Sequence, residues 1–134
     1  MADLSPQQPG VLVVDDDPSL LTLLYLALQD HGLTVWTAAD EGQAVKVYHK
    51  YHDSILAVLL DSRPSGSNGQ ATVAALRQIN PAVRCCLVTD PPGRQRKADA
   101  PAPDDVEVLQ RPFGFGRLVQ VLLRLAAPRR AAGE

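Results

Sequence analysis

The amino-acid sequence predicts an α/β domain built on a doubly wound sheet of five parallel strands. Two observations carry that expectation. Short apolar runs alternate with longer segments of helical periodicity, in the order β-α-β-α-β-α-β, then an interrupted stretch, then β-α. The apolar runs are also nearly unbroken rather than alternating with polar residues, which suits strands covered by helices on both faces. A length of 134 residues is typical of one such domain.

Residues 1–10 carry two prolines, a glycine and polar side chains, and are expected to form a flexible arm. Residues 11–14, rich in valine, are the first strand candidate. Pro18 can open a helix running to about His31, because the first helical turn has no use for its missing N–H, and Gly32 can close it. Leu20, Leu23, Leu24, Ala27 and Leu28 supply its inward stripe. Residues 33–37 are a second strand. Asp40 can cap a second helix, with Gln43 three residues on to return the bond, and Ala44, Val47, Tyr48 and Tyr51 share one face of it. Residues 55–60 are wholly apolar and form the third strand, and a helix from about Gly69 to Ile79 follows, stopped by Asn80-Pro81. Residues 83–88 are the fourth strand and 106–109 a weaker fifth. The last helix runs from about Phe113 to Ala126. Between the last two strands, Pro91, Pro92, Pro101 and Pro103 leave room for only about two helical turns, so the fourth helix of the alternation is expected to be shortened or irregular. Residues 128–134 are expected to be a second flexible segment, leaving 11–127 as the domain.

Composition narrows the function classes. Hydrophobic residues make up 46% of the chain, enough for a packed core. A net charge of −2 and an aromatic content of 4% argue against a nucleic-acid partner. No signal peptide and no apolar run of membrane-spanning length is evident, so neither a membrane partner nor a location outside the cytoplasm is expected. Cys85 and Cys86 are adjacent on a strand and point to opposite faces, which suits two buried, reduced thiols.

Ligands of open α/β sheets bind at the carboxyl ends of the strands. Asp15, Asp16 and Asp17 follow the first strand, Asp61 the third, Thr89 ends the fourth and Arg111 follows the fifth. Clustered carboxylates repel one another unless a cation sits among them, and hard oxygen ligands with open positions suit Mg²⁺. A hydroxyl and a guanidinium beside them describe a site for a phosphoryl group on a carboxylate. Asp17, next to Pro18, can equally serve as a helix cap.

The ordered set VLVVDDDPSL, ILAVLLDSRP, LVTD and RPF, with Gly69 eight residues after Asp61, resembles the receiver domain of two-component response regulators, the flavodoxin-like fold of the chemotaxis response protein. The resemblance covers roughly residues 11–126. It implies that Asp61 is the phosphoacceptor, served by a histidine kinase or a histidine phosphotransfer protein. It implies that Asp15 and Asp16 hold Mg²⁺ with Asp61 and the main-chain carbonyl of Arg63, that Thr89 donates to a phosphoryl oxygen, and that Arg111-Pro112 replaces the usual Lys-Pro, which often carries a cis peptide. At most such a domain catalyses its own phosphoryl transfer and dephosphorylation. With no room for an output domain in 134 residues, a stand-alone receiver signalling through a downstream protein partner is expected. In this fold the first and last helices lie side by side. Leu21, Tyr25 and Leu26 on the first, with Val119 and Leu123 beside the Leu118, Leu122 and Leu125 stripe of the last, suggest an apolar patch for a homodimer or a phosphotransfer helix.

The sequence departs from the family pattern at four places. Arg111 stands for the lysine, Val108 for the aromatic residue that swings inward on activation, Asp90 for a small residue after Thr89, and a proline-laden stretch for an ordinary helix. Arg111, Val108 and Asp90 favour an alternative, a pseudo-receiver that binds proteins without regulated phosphorylation, and the intact Asp15, Asp16 and Asp61 disfavour it. A remoter alternative takes Asp15 and Asp17 as the nucleophile motif of a haloacid-dehalogenase-like phosphatase, with Thr89 as its second motif. Its further acidic motif is then missing, because Asp104 and Asp105 precede the fifth strand.

Overall fold

The computed structural model describes residues 8–61, 69–91 and 105–127. The apolar runs become strands and the amphipathic segments helices, in the order β1 (Gly10–Val14), α1 (Pro18–Asp30), β2 (Thr34–Ala38), α2 (Glu41–Tyr51), β3 (Ile55–Asp61), α3 (Gly69–Ile79), β4 (Cys85–Thr89), β5 (Glu107–Gln110) and α4 (Phe115–Ala126). Among the described residues the strands form one parallel sheet in the order β2-β1-β3-β4-β5. The stretch expected to hold a shortened helix falls largely on 92–104, outside the described residues, as does Arg63.

The unbroken apolar strands are buried from both sides, because successive side chains of a strand point to opposite faces. Val11, Val13, Ala57, Leu59, Cys86 and Val88 pack with Leu24 and Leu28 of α1 and with Leu118 and Leu122 of α4. Leu12, Val14, Val58, Leu60, Cys85 and Leu87 pack with Ala44 and Tyr48 of α2 and with Val73 and Leu76 of α3. The two cysteines are free, and burial pushes both thiols up to about 12, so they are protonated core residues.

Helix ends follow the expected chemistry. The Asp17 carboxylate accepts from the N–H groups of Ser19 and Leu20 and caps α1, and Gly32 closes that helix with φ of 87°, a left-handed conformation that glycine adopts readily. Asp40 accepts from the Gln43 N–H at 2.8 Å, and the Gln43 side chain accepts from the Ala39 N–H at 2.9 Å, a reciprocal cap on α2.

Three expectations are corrected. The first strand begins at Gly10, inside the expected arm, and the Pro9 carbonyl already accepts from Thr34 N–H. Leu23 is not part of the inward stripe of α1, being 62% exposed, whereas Leu21 is partly buried against the core. At about 100° of rotation per residue, Leu23 falls well off the line through Leu20, Leu24 and Leu28, while Leu21 lies at its border. Val119 is 7% exposed and belongs to the core, so on α4 the predicted patch keeps only Leu123.

Candidate functional site at the strand ends

In the strand order 2-1-3-4-5, the chain leaves β1 towards one sheet edge and β3 towards the other. The connections diverge, and a crevice opens between β1 and β3 at their carboxyl ends. Asp15 directly follows β1 and Asp61 ends β3, so the topology places both carboxylates at that crevice. Asp15 is held from both sides. Its N–H donates to the Ala38 carbonyl at 3.0 Å, and its Oδ1 accepts from the Asp17 N–H at 2.9 Å.

Asp15 is 7% exposed. Burial pushes its carboxyl above the ordinary aspartate range. The bond from Asp17 N–H opposes that rise, and the charges of Asp61, Asp16 and Asp17 add to it. Asp16 is exposed, and Asp17 is engaged with the helix. The run of three aspartates thus divides into one buried group, one exposed group and one cap.

On the other side of Asp61 stands a cation. Arg111 Nη2 donates to Asp61 Oδ2 at 2.8 Å, and Nη1 of the same guanidinium donates to Asp90 Oδ1 at 3.1 Å. The side chains of Asp61 and Asp90 are 20% and 17% exposed and that of Arg111 is 37% exposed, so this two-carboxylate fork is partly buried. The Arg111 N–H also donates to the Thr89 carbonyl at 2.8 Å, and the Arg111-Pro112 peptide is cis. Thr89 is half-buried at the end of β4, paired in register with Gln110. The pairing of Arg111 with Asp90 was not foreseen from sequence. The signal was present in an acidic residue directly after Thr89 and an arginine directly after the paired strand. Val108, in the place of the family's aromatic switch, is 42% exposed.

The donor chemistry fits a hard cation, since burial and then three like charges raise the Asp15 carboxyl, and a divalent ion would offset those charges. The carboxylates do not form a closed cage: among the described residues no three His, Cys, Asp or Glu side chains are placed to hold a metal. Among the described residues, no helix is long and apolar enough to cross a membrane.

Comparison with known proteins places this geometry. Residues 11–123 match the family model of the response regulator receiver domain. The transcriptional regulatory protein ZraR of Salmonella typhimurium is 31% identical over 124 residues, which are 92% of this chain and 27% of that protein. The chain therefore spans about a quarter of that relative's length. The chemotaxis protein CheY4 of Vibrio cholerae superposes with a TM-score of 0.73 at 26% identity, covering 88% of this chain and 98% of that one. The response regulator TrrA of Thermotoga maritima, in complex with Mg²⁺ and BeF, gives a TM-score of 0.69 at 26% identity, covering 87% and 97%. With a family match over most of its length, a β2-β1-β3-β4-β5 parallel sheet and an aspartate ending β3 at the switch point, the chain belongs to the receiver domains of two-component response regulators.

Proposed function

We propose that this receiver accepts a phosphoryl group on Asp61 from the phosphohistidine of a histidine kinase or histidine phosphotransfer protein. The observation that carries the reading is the placement of Asp61 at the switch point, with the Arg111 guanidinium on one oxygen and Asp15 as its acidic neighbour. An Asp61 oxygen bonds to phosphorus as the phosphorus–nitrogen bond breaks, and the imidazole keeps the electron pair and takes up a proton. Hydrolysis later returns the Asp61 carboxylate and inorganic phosphate. Arg111 neutralises charge on the phosphoryl oxygens, and the Thr89 hydroxyl is the proposed donor from the neighbouring strand end. Asp15 and Asp16, with Asp61 and the carbonyl of Arg63, would hold Mg²⁺. When bound, that ion supplies the positive charge the clustered carboxylates lack. The Mg²⁺–BeF complex of the similar Thermotoga maritima regulator supports the reading.

One observation favours a second reading. Arg111 already spans Asp61 and Asp90, as it would in a pseudo-receiver whose acceptor is permanently neutralised. Intact mass after incubation with Mg²⁺ and a small acyl phosphate separates the readings. The wild type is expected to gain one phosphoryl group, Asp61→Asn none, and Asp15→Asn far less than wild type. An unmodified wild type that also ignores beryllofluoride would establish the pseudo-receiver. Repeated turnover of the donor that depends on Asp15 would establish the phosphatase.

Tyr25 and Leu26 of the predicted patch, 38% and 60% exposed on the helix that starts at the pocket, with Leu23, 62% exposed, and Leu123, 40% exposed on α4, are the proposed docking surface for the phosphodonor protein. Four side chains are a small area beside the roughly 800 Å² per partner of a stable interface, which favours transient docking over a homodimer. Light scattering across a concentration series should give a monomeric mass throughout. A mass that rises with concentration and is restored by Leu26→Glu or Leu123→Glu would assign the face to a homodimer.

A further inference from the structure

We infer that Asp90 is a positioning residue for Arg111, holding half of its guanidinium while Asp61 is unmodified and releasing it when Asp61 carries a phosphoryl group. The inference rests on the receiver reading above. It starts from the fork itself: Nη2 on Asp61, Nη1 on Asp90, two carboxylates sharing one cation in a partly buried site. A guanidinium is planar, and its two terminal nitrogens diverge, so it can span two carboxylates or grip one anion with both nitrogens. Phosphorylation replaces the single charge of Asp61 with a more highly charged group bearing three acceptor oxygens. That group is the better bidentate partner, and Nη1 moves from Asp90 to it. Asp90 is then a carboxylate facing a phosphoryl group of the same sign and is driven outwards.

The backbone determines where that displacement acts. Arg111 N–H is bonded to the carbonyl of Thr89, the residue directly before Asp90. The strand ends stay joined through that bond while the Asp90 side chain loses its bond from Arg111. A lysine ammonium concentrates its charge at one nitrogen and lacks this two-nitrogen fork. Asp90 and Arg111 thus form a reporting device that needs no aromatic ring, and Val108 has none to offer.

The fork also opposes the modified state, since Asp90 competes for Arg111 and repels the phosphoryl group. Its removal should favour modification. The test titrates beryllofluoride with Mg²⁺ into ¹⁵N-labelled wild type, Asp90→Asn and Asp90→Glu, following the backbone amide of residue 90 and the Arg111 side-chain Nε–H signal. In wild type both signals should shift on saturation. Asp90→Asn should bind about three- to tenfold more tightly, with the residue 90 shift largely lost, and Asp90→Glu should restore wild-type behaviour. Equal affinities and equal shifts in wild type and Asp90→Asn would overturn the inference and leave the receiver reading standing. A wild type that does not respond to beryllofluoride overturns the receiver reading, and this inference with it.

Discussion

Replacing Asp15 by Asn is expected to weaken Mg²⁺ binding on the order of a hundredfold while making the metal-free domain more stable. The two effects share one cause. A unit negative charge facing a cation at contact distance is worth several kcal/mol even at an effective dielectric of about 20, so losing one ligand charge lowers affinity steeply. Without the ion, that charge is a liability: Asp15 is buried and surrounded by Asp16, Asp17 and Asp61. Asparagine keeps an oxygen to accept the Asp17 N–H and removes only the charge.

The pH dependence follows from the direction of the shift. Because the folded state raises the Asp15 pKa, the fold binds that proton more tightly than the unfolded chain does. The destabilisation is therefore complete above the raised pKa. It fades as pH falls through that value towards the ordinary one, so metal-free wild type should gain stability there and Asp15→Asn should not. Asp105 acts with the opposite sign. Its hydrogen bond from Arg77 lowers its pKa, so its contribution is present above the ordinary value and lost as pH falls through the lowered one. Calorimetric titration with Mg²⁺ and thermal melts of the metal-free proteins across pH measure both effects. Unchanged Mg²⁺ affinity in Asp15→Asn would remove Asp15 from the metal site.

Gly10→Val should destabilise the domain by about 3 kcal/mol, a loss of roughly 10 °C in melting temperature. A Cβ on Gly10 would fall against the Ser54 carbonyl oxygen and 2.7 Å from Trp36 Cζ3. The Trp36 ring could rotate away, but Ser54 is backbone, and its own N–H donates to the Tyr51 carbonyl at 2.8 Å. Relief would require moving β1, which pairs with both β2 and β3. The register with β3 already slips beside Gly10, where Ile55 is its partner but Ala57 is the partner of Val11. Gly116→Ala is the control, because a Cβ there meets nothing within 4 Å and alanine is the better helix former. Thermal melts should show a large drop for the first variant and none for the second.

Much of this architecture was legible in the order of residue types. Unbroken apolar runs at 55–60 and 83–88 required cover on both faces, and Pro18, Gly32, Asp40 and Gln43 marked helix ends by their own backbone chemistry. Helix faces were less legible. Leucines of α1 meet different environments, a border position at 21 and exposed ones at 23 and 26, and hydrophobicity alone does not separate them.

Residue order alone assigns Asp15 and Asp61 to the same edge of the sheet, because both stand at the carboxyl ends of parallel strands. The packing of the sheet and helices sets how the charges there are shared. Asp17 turned to the helix N-terminus, Asp15 was buried, and Arg111 divided its guanidinium between Asp61 and Asp90. Pairing between charges 50 and 21 residues apart depends on the register of β3, β4 and β5 and on the reach of one long side chain. The sequence shows an acidic residue after Thr89 and an arginine after the fifth strand, but register and reach are set by the packed sheet, and there Asp90 becomes the second partner of Arg111.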